Sequence, residues 1–102
     1  MAFRPDVTVA AIVERDGRFL VVEERAARRI VFNQPAGHLE RNEDLVGAVV
    51  RETLEETGYL LVPDAVTGIY LWPHPTLDRT FLRVAFCGTV SGPDPSRRLD
   101  RC

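Results

Sequence analysis

The sequence predicts a layered α/β or α+β domain, and two features of the chain predict it. One amphipathic helix is expected at about residues 44–57, and strand-like runs lie on both sides of it. At 102 residues, with 45% hydrophobic and 27% charged residues, the composition is that of an ordinary globular protein. We therefore expect a single domain over residues 1–102, built around one core.

The strands are predicted from apolar runs and from the turn residues between them. They cover residues 7–14, 18–24, 30–33, 59–62, 65–72 and 80–90. Asp16-Gly17 is a hairpin turn between the first two strands, and Pro63-Asp64 is expected to separate the fourth from the fifth. The charged residues 23–29 are predicted to form a loop. In the last strand, alternate residues are expected to share one face: Leu82, Val84 and Phe86.

The predicted helix carries three carboxylates on one stripe. Glu52, Glu55 and Glu56 fall within one arc at about 100° per residue. Asn42 is the expected N-cap, and Gly58 can take the left-handed conformation that ends a helix. The opposite side of the helix is expected to face the core: Val46, Val49, Val50, Thr53 and Leu54.

The acidic stripe is suited to a divalent cation. Close carboxylates repel each other, and a cation between them removes that cost. Mg²⁺ takes oxygen ligands, and enzymes use it in phosphate chemistry. Gly37 permits a tight turn and close approach of a backbone carbonyl to a metal, while Arg51 can pair with Glu55 four residues on. A solvated acidic helix face is the alternative, but the placed glycines and arginine favour a metal-dependent hydrolase of phosphate esters or phosphoanhydrides.

Residues 37–59 resemble the Nudix box, Gly-x5-Glu-x7-Arg-Glu-U-x-Glu-Glu-x-Gly-U, in which U is a bulky apolar residue. Every charged and glycine position is present, whereas Thr53 and Tyr59 depart from the pattern at the U positions. The runs VTVAAIVERDGRFLVVEE, NQPAGHLE and FLRVAF are similar to the NudJ-type phosphatases of this superfamily. The resemblance thus covers most of the chain up to about residue 90.

The resemblance implies the Nudix fold, a mixed β-sheet packed against helices in an α/β/α sandwich. It also implies one to three divalent cations, Mg²⁺ or Mn²⁺. Glu55 and Glu56 match the principal metal ligands of the family, and Gly37 matches the position whose carbonyl joins them. Glu52 matches the residue that binds metal or acts as the general base toward the attacking water.

Two further positions of the family pattern are implied in the same way: Arg51 matches the orienting arginine, and Glu43 a supporting position at the helix start. The family hydrolyses nucleoside diphosphates linked to another group. For this chain the resemblance suggests nucleoside di- or triphosphates, or the pyrimidine diphosphate precursor of thiamine. A non-catalytic Nudix-fold nucleotide-binding or regulatory module is the alternative function, and a phosphate-release assay with and without Mg²⁺ separates the two.

Candidate substrate contacts lie outside the helix. Trp72, beside the Pro73-His74-Pro75 loop, is the favoured residue for stacking on a ring, with packing as the alternative. Tyr70 is a weaker candidate, and Phe32 is expected to serve packing alone. Arg25 is a candidate for phosphate contact, with a solvated loop as its alternative.

The remaining composition limits partners and compartment. No apolar run approaches the ~18 residues of a membrane span, and no strongly basic patch indicates duplex nucleic acid. The expected partner is a small phosphorylated substrate. Cys87 is expected in the core and Cys102 at the terminus, which suits a reducing cytoplasm.

The C-terminus is shorter than the family pattern. Relatives continue with another strand and a helix, so we expect a truncated chain, a fragment, or a homo-oligomer that covers the exposed sheet face. Many relatives also supply a late metal-binding Glu. Here no Glu follows Glu56, and Asp94 or Asp100 are the possible substitutes.

Overall fold

One mixed sheet and one helix carry the core of the protein. The computed structural model describes residues 2–92, so the expectations for Asp94, Asp100 and Cys102 lie outside the described residues. The elements in chain order are β1 Asp6–Ile12, β2 Glu14–Arg15, β3 Arg18–Phe19, β4 Val22–Ala26, β5 Arg29–Asn33, β6 Ala36–His38, α1 Leu45–Thr57, β7 Leu60–Pro73 and β8 Thr80–Ser91.

The main sheet has the strand order β6-β1-β8-β7. The two central strands, β1 and β8, are parallel, and the outer pairs β1–β6 and β7–β8 are antiparallel. Helix α1 packs on β7, β6 and β1, so that it covers one face of this sheet. A mixed sheet with a packed helix confirms the predicted fold class.

The core lies between α1 and that face of the sheet. Val9 and Val49 are fully buried there, and Phe86 is 5% exposed. The other members of the cluster are Ala11, Val13, Leu20, Ala48, Leu61 and Val84. Of the three β8 residues expected on one face, Val84 and Phe86 belong to this core, whereas Leu82 is only partly buried.

Two hairpins precede the helix. The predicted turn at Asp16-Gly17 joins β2 to β3, with φ of 53° and 79° at its two residues, as a two-residue hairpin turn requires. The loop expected at residues 23–29 is wrong, because β4 and β5 pair there around Ala27, whose φ is 55°. In this two-stranded ribbon the charged side chains remain exposed, so their charge does not prevent strand pairing.

The expected break at Pro63-Asp64 is also wrong. Strand β7 continues through Pro63 and Asp64. Its pairing with β8 shifts register between Pro63 and Ala65 and again between Val66 and Gly68. β7 is an edge strand of the main sheet, where a residue without an N–H is tolerated. The result is one long strand that reaches from the core to Trp72.

The N-cap of helix α1 lies two residues later in the chain than expected. Asp44, not Asn42, is the N-cap: its carboxylate accepts a 2.6 Å hydrogen bond from the Gly47 amide. Asn42 instead has a φ of 66° in the preceding turn. Gly58 ends the helix with a φ of 78°, as predicted.

The buried face of α1 differs from expectation at one residue. Val46, expected to face the core, is 50% exposed. Thr53 is fully buried, and its hydroxyl donates to the Val49 carbonyl at 2.8 Å, which satisfies the polar group inside the core. No helix among residues 2–92 is both long and apolar enough to cross a membrane.

Candidate active site

The acidic stripe of α1 faces strand β6. A Cβ added to Gly37 would fall on the Glu52 carboxylate, at its carbon and both oxygens. The carboxylate therefore occupies the space that any other residue at position 37 would fill with its own side chain. Only glycine allows Glu52 to lie against the β6 backbone in this way.

Arg51 connects the helix to the segment that precedes it. Its Nε and one terminal nitrogen bind the two oxygens of Glu43 at 2.6 and 2.9 Å, a bidentate pair. The same guanidinium donates to the carbonyl of His38 at 3.0 Å and to Glu52 at 2.8 Å. The pair expected with Glu55 is present at 3.4 Å, but Glu43 is the closer partner.

These contacts fix the charge states around Arg51. The hydrogen bond from Arg51, followed by one from the Glu40 amide, lowers the pKa of the Glu43 carboxyl below its usual range. The same pair with Glu43 raises the pKa of Arg51. Arg51 and Glu43 are therefore an ion pair at neutral pH, and the pair holds Glu52 beside Gly37.

Glu56 contacts β6 one residue before Gly37. Its carboxylate accepts a hydrogen bond from the Ala36 amide at 2.8 Å, next to Gly37 in the chain. Burial raises the pKa of Glu56, and the charges of Glu52, Glu24 and Glu55 raise it further. Glu24 belongs to β4, so the β4–β5 hairpin supplies one of the three carboxylate charges that act on Glu56.

The donor set fits a hard divalent cation in its chemistry. Glu52 presents its carboxylate oxygens to Gly37 and Glu56 presents its oxygens to the neighbouring Ala36, while Glu55 on the same helix is exposed. Among residues 2–92, no three His, Cys, Asp or Glu side chains are already drawn together around one point. Glu52 and Glu55 turn toward the positive charge of Arg51 instead. A cation added to this site would reduce the repulsion that raises the pKa of Glu56.

A cleft of about 320 Å³ opens on the other side of β6 from the helix. Its wall is aromatic: the rings of Trp72 and Phe81 stack with centroids 5.1 Å apart, and His74 lies 5.9 Å from Trp72. Trp72 is 42% exposed, which leaves part of the indole accessible. The full lining consists of Thr8, Ala36, Gly37, His38, Trp72, Phe81 and Arg83. Gly37 thus belongs both to the cleft and to the acidic site.

The structure brings some of the predicted substrate residues to the cleft and leaves others outside. Trp72 lines it, as predicted. Arg25 lies on the exposed β4–β5 hairpin and is not part of the lining. Successive side chains of a strand point to opposite faces, and on β4 it is the neighbouring Glu24 whose charge acts on Glu56. Phe32 is 58% exposed on β5 and is not part of the lining.

Three residues of this region escape sequence reasoning: Arg83, Phe81 and Glu24. Phe81 pairs with Trp72 across the β7–β8 ladder, and Arg83 pairs with Tyr70 two residues on. The sequence does show that Phe81, Arg83 and Ala85 alternate with the core residues of β8. To place them in the cleft, however, one must also know the register of β8 against both neighbouring strands.

The NUDIX domain model matches residues 2–99. The chain belongs to the NUDIX family. The segment from Gly37 to Tyr59, which resembles the family's box, contains helix α1 and the turn that precedes it.

Two relatives share nearly half of their aligned residues with this NUDIX chain. The phosphatase NudJ of Escherichia coli strain K12 is 48% identical over 85 residues, which are 82% of this chain and 54% of that protein. A solved NUDIX hydrolase from Nitrosomonas europaea is also 48% identical, with a TM-score of 0.86 over 95% of this chain and 66% of that one. These findings confirm the predicted resemblance to the NudJ-type branch.

A more distant solved structure has the same fold. A MutT NUDIX hydrolase from Burkholderia pseudomallei is 25% identical, with a TM-score of 0.77 over 89% of this chain and 72% of that chain. The chain spans about half the length of the curated relatives it matches.

Proposed function

We propose that the protein is a hydrolase that cleaves a phosphoanhydride bond of a small diphosphate or triphosphate with the help of Mg²⁺ or Mn²⁺. One observation carries this proposal: the Glu52 carboxylate lies against the Gly37 backbone at the edge of a cleft with a stacked aromatic wall. Acidic oxygens for a cation and a surface for a ring thus adjoin each other. The family of the chain supports the same reaction class.

The metal would be held by the carboxylates of Glu52, Glu55 and Glu56 with the carbonyl of Gly37. When bound, it neutralises charge on the substrate's phosphates and acidifies water. Arg51 and Glu43 hold Glu52 in place through bonds of 2.8 and 2.6 Å, so they act on the reaction by positioning.

The reaction is a substitution at phosphorus by water. The water oxygen forms a bond to phosphorus, the bond from phosphorus to the bridging oxygen breaks, and the bridging oxygen leaves with its electron pair on the remaining phosphate. Glu52 takes the proton of the attacking water as general base. Its side chain is 16% exposed, and one of its carboxylate oxygens accepts a hydrogen bond from Arg51 at 2.8 Å.

The substrate is a small molecule with a ring and at least two phosphates. A nucleoside di- or triphosphate or the pyrimidine diphosphate precursor of thiamine has this chemistry, and the cleft volume is near the lower end for ligand sites. Trp72 stacks on the ring. Arg25 remains a weaker candidate for contact with a distal phosphate. A cytoplasmic location and the absence of duplex nucleic acid among the partners stay predictions.

A phosphate-release assay tests the function. Substrates are nucleoside di- and triphosphates and thiamine-related diphosphates, each with Mg²⁺, with Mn²⁺ and with EDTA. We expect release with a divalent cation and none with EDTA. Binding of the same compounds without release under any cation would favour the nucleotide-binding module instead.

We also propose that two copies of the chain associate through β7. In the described part of the chain this strand forms one edge of the main sheet, and Asp64 is its one charged residue. Val66, Ile69 and Leu71 are 51%, 65% and 60% exposed. A long apolar edge with few charges is the kind of strand that pairs with another chain.

A further inference from the structure

A row of polar side chains crosses the floor of the cleft. The strand registers place His38 of β6 beside Thr8 of β1, Thr8 beside Arg83 of β8, and Arg83 beside Tyr70 of β7. His38, Thr8 and Arg83 all line the cleft. The adjacent row on the same face of the sheet consists of small residues, which keep the floor flat beside Arg83: Ala36, Ala10, Ala85 and Gly68.

Arg83 differs from the other arginines of the described residues. Only Arg51 and Arg83 are partly buried, and the rest are exposed. Arg51 has carboxylate partners at 2.6 to 3.6 Å. Arg83 forms no ion pair within residues 2–92, and its hydrogen-bond partner there is the neutral side-chain oxygen of Gln34 at 3.2 Å. A partly buried cation without an opposite charge is stabilised by an anionic ligand.

The chemistry of Arg83 favours a phosphate as that anion. A guanidinium has five N–H donors in a planar fork that matches two phosphate oxygens. One donor is bonded to Gln34, which orients the group, and the Thr8 hydroxyl lies in the neighbouring position of the row. The four carboxylates of the acidic site belong to α1 and β4, on the other side of β6.

The position of Arg83 lies between the acidic site and the aromatic wall. Neighbouring strands lie about 4.8 Å apart, so β8 is roughly 10 Å from β6, where Gly37 meets Glu52. The aromatic wall lies on the far side of Arg83. Phe81 is two residues before Arg83 on β8, and Trp72 lies beside Phe81 on β7. A diphosphate with its ring on Trp72 would present its ring-end phosphate to Arg83 and its distal phosphate to Glu52.

We propose that Arg83, oriented by Gln34 and assisted by Thr8, binds the phosphate attached to the substrate's ring and so determines which phosphate lies at the acidic site. The choice of substrate class rests on the proposed function. The subsite itself requires no divalent cation, which allows it to be tested separately.

The test uses the fluorescence of Trp72, the single tryptophan of the chain. Cytidine monophosphate, cytidine and inorganic phosphate are titrated into the protein in EDTA. We expect cytidine monophosphate to bind roughly 10- to 100-fold more tightly than cytidine, as for a hydrogen bond to a charged group. Arg83→Gln should abolish this preference, so that cytidine monophosphate and cytidine bind about equally. Arg83→Lys should keep part of the preference, because the charge remains but the planar fork is lost.

Two matched variants control for charge alone. Arg18→Gln removes one exposed arginine on β3 that does not line the cleft, and it should leave the preference unchanged. Arg25→Gln removes the arginine that the sequence suggested for phosphate contact. Thermal melts in EDTA check that each variant is folded, and a destabilised Arg83→Gln leaves Arg83→Lys as the deciding comparison.

Three results would overturn the proposal. A folded Arg83 variant with the full phosphate preference would exclude the residue, and loss of the preference in Arg25→Gln would move the site to the β4–β5 hairpin. Equal affinity for inorganic phosphate and cytidine monophosphate would show a site for free phosphate in place of a ring-attached one. A chain that prefers cytidine monophosphate through Arg83 in EDTA but releases no phosphate with Mg²⁺ would refute the hydrolase while supporting this subsite.

Discussion

Replacement of Gly37 by alanine perturbs the acidic site without a change of charge. The added Cβ would coincide with the Glu52 carboxylate, so Glu52 must turn away from β6. Gly37 does not have a positive φ, so the alanine backbone itself is unstrained. The variant therefore isolates one effect, the displacement of a carboxylate that is only 16% exposed and bonded to Arg51 at 2.8 Å.

The size of the effect follows from the role of Glu52. A general base contributes about 10²- to 10⁴-fold, and a misplacement of roughly 1 Å is enough to lose about 10²-fold. We expect kcat to fall by about 10²-fold or more and Mg²⁺ affinity to fall with it. Overpacking of this kind costs about 1 to 3 kcal/mol of unfolding free energy, so the variant remains folded at room temperature.

The assay pairs phosphate release with titration calorimetry of Mg²⁺. Gly47→Ala is the matched control, because its added Cβ would meet one carboxylate oxygen of Asp44 at 3.0 Å and would approach Glu43 only to an ordinary contact of 3.8 Å. Alanine is also the better helix former by about 1 kcal/mol, so this control should keep its activity and its stability. A Gly37→Ala protein with more than about one third of the wild-type kcat and unchanged Mg²⁺ affinity would refute the reasoning.

Three further predictions concern Glu52, Glu56 and strand β7. Glu52→Gln should lower kcat by about 10²- to 10⁴-fold with Mg²⁺ affinity reduced less; a decrease below tenfold with unchanged affinity in calorimetry would assign the base elsewhere. Because the pKa of Glu56 is raised in the folded protein, this carboxyl favours folding below its ordinary pKa of 4.5, and that contribution is lost as the pH rises through the raised value. Glu56→Gln keeps an acceptor for the Ala36 amide. In EDTA the variant should therefore melt at a higher temperature than wild type near pH 7, but not near pH 4. In Mg²⁺ near pH 7 the wild type should have the higher melting temperature. Thermal scans at both pH values check this, and a variant that melts lower in EDTA at both would contradict it. Ile69→Arg places a charge on the exposed edge strand and should weaken self-association in analytical ultracentrifugation, whereas a wild-type chain that is monomeric at every concentration would exclude association through β7.

The box could be predicted from sequence because its chemistry is local. Residues spaced three and four apart share a helix face whatever surrounds the helix, so Glu52, Glu55 and Glu56 were assigned to one stripe from spacing alone. The helix end at Gly58 and the hairpin turn at Asp16-Gly17 were predicted for the same reason, since each depends on the backbone preference of one or two residues.

The errors arose where pairing with another strand overrides local preference. The charged residues 23–29 formed a hairpin because a two-stranded ribbon exposes both faces. Pro63 was absorbed because β7 lies at a sheet edge, a position that composition does not reveal. Asp44 replaced Asn42 as the cap because the chain turns at Asn42 with a positive φ, so the helix starts two residues later.

The sequence by itself determined the family of the chain and its acidic helix, because these rest on spacings within 23 residues, from Gly37 to Tyr59. Only the tertiary structure decided what lies next to that helix. The parallel pairing of β1 with β8 and the antiparallel pairing of β8 with β7 bring Thr8, Arg83 and Trp72 into one cleft, although these residues are distant in the chain. Sheet register depends on all neighbouring strands at once, and for this reason the cationic side chain of the cleft is Arg83 and not Arg25.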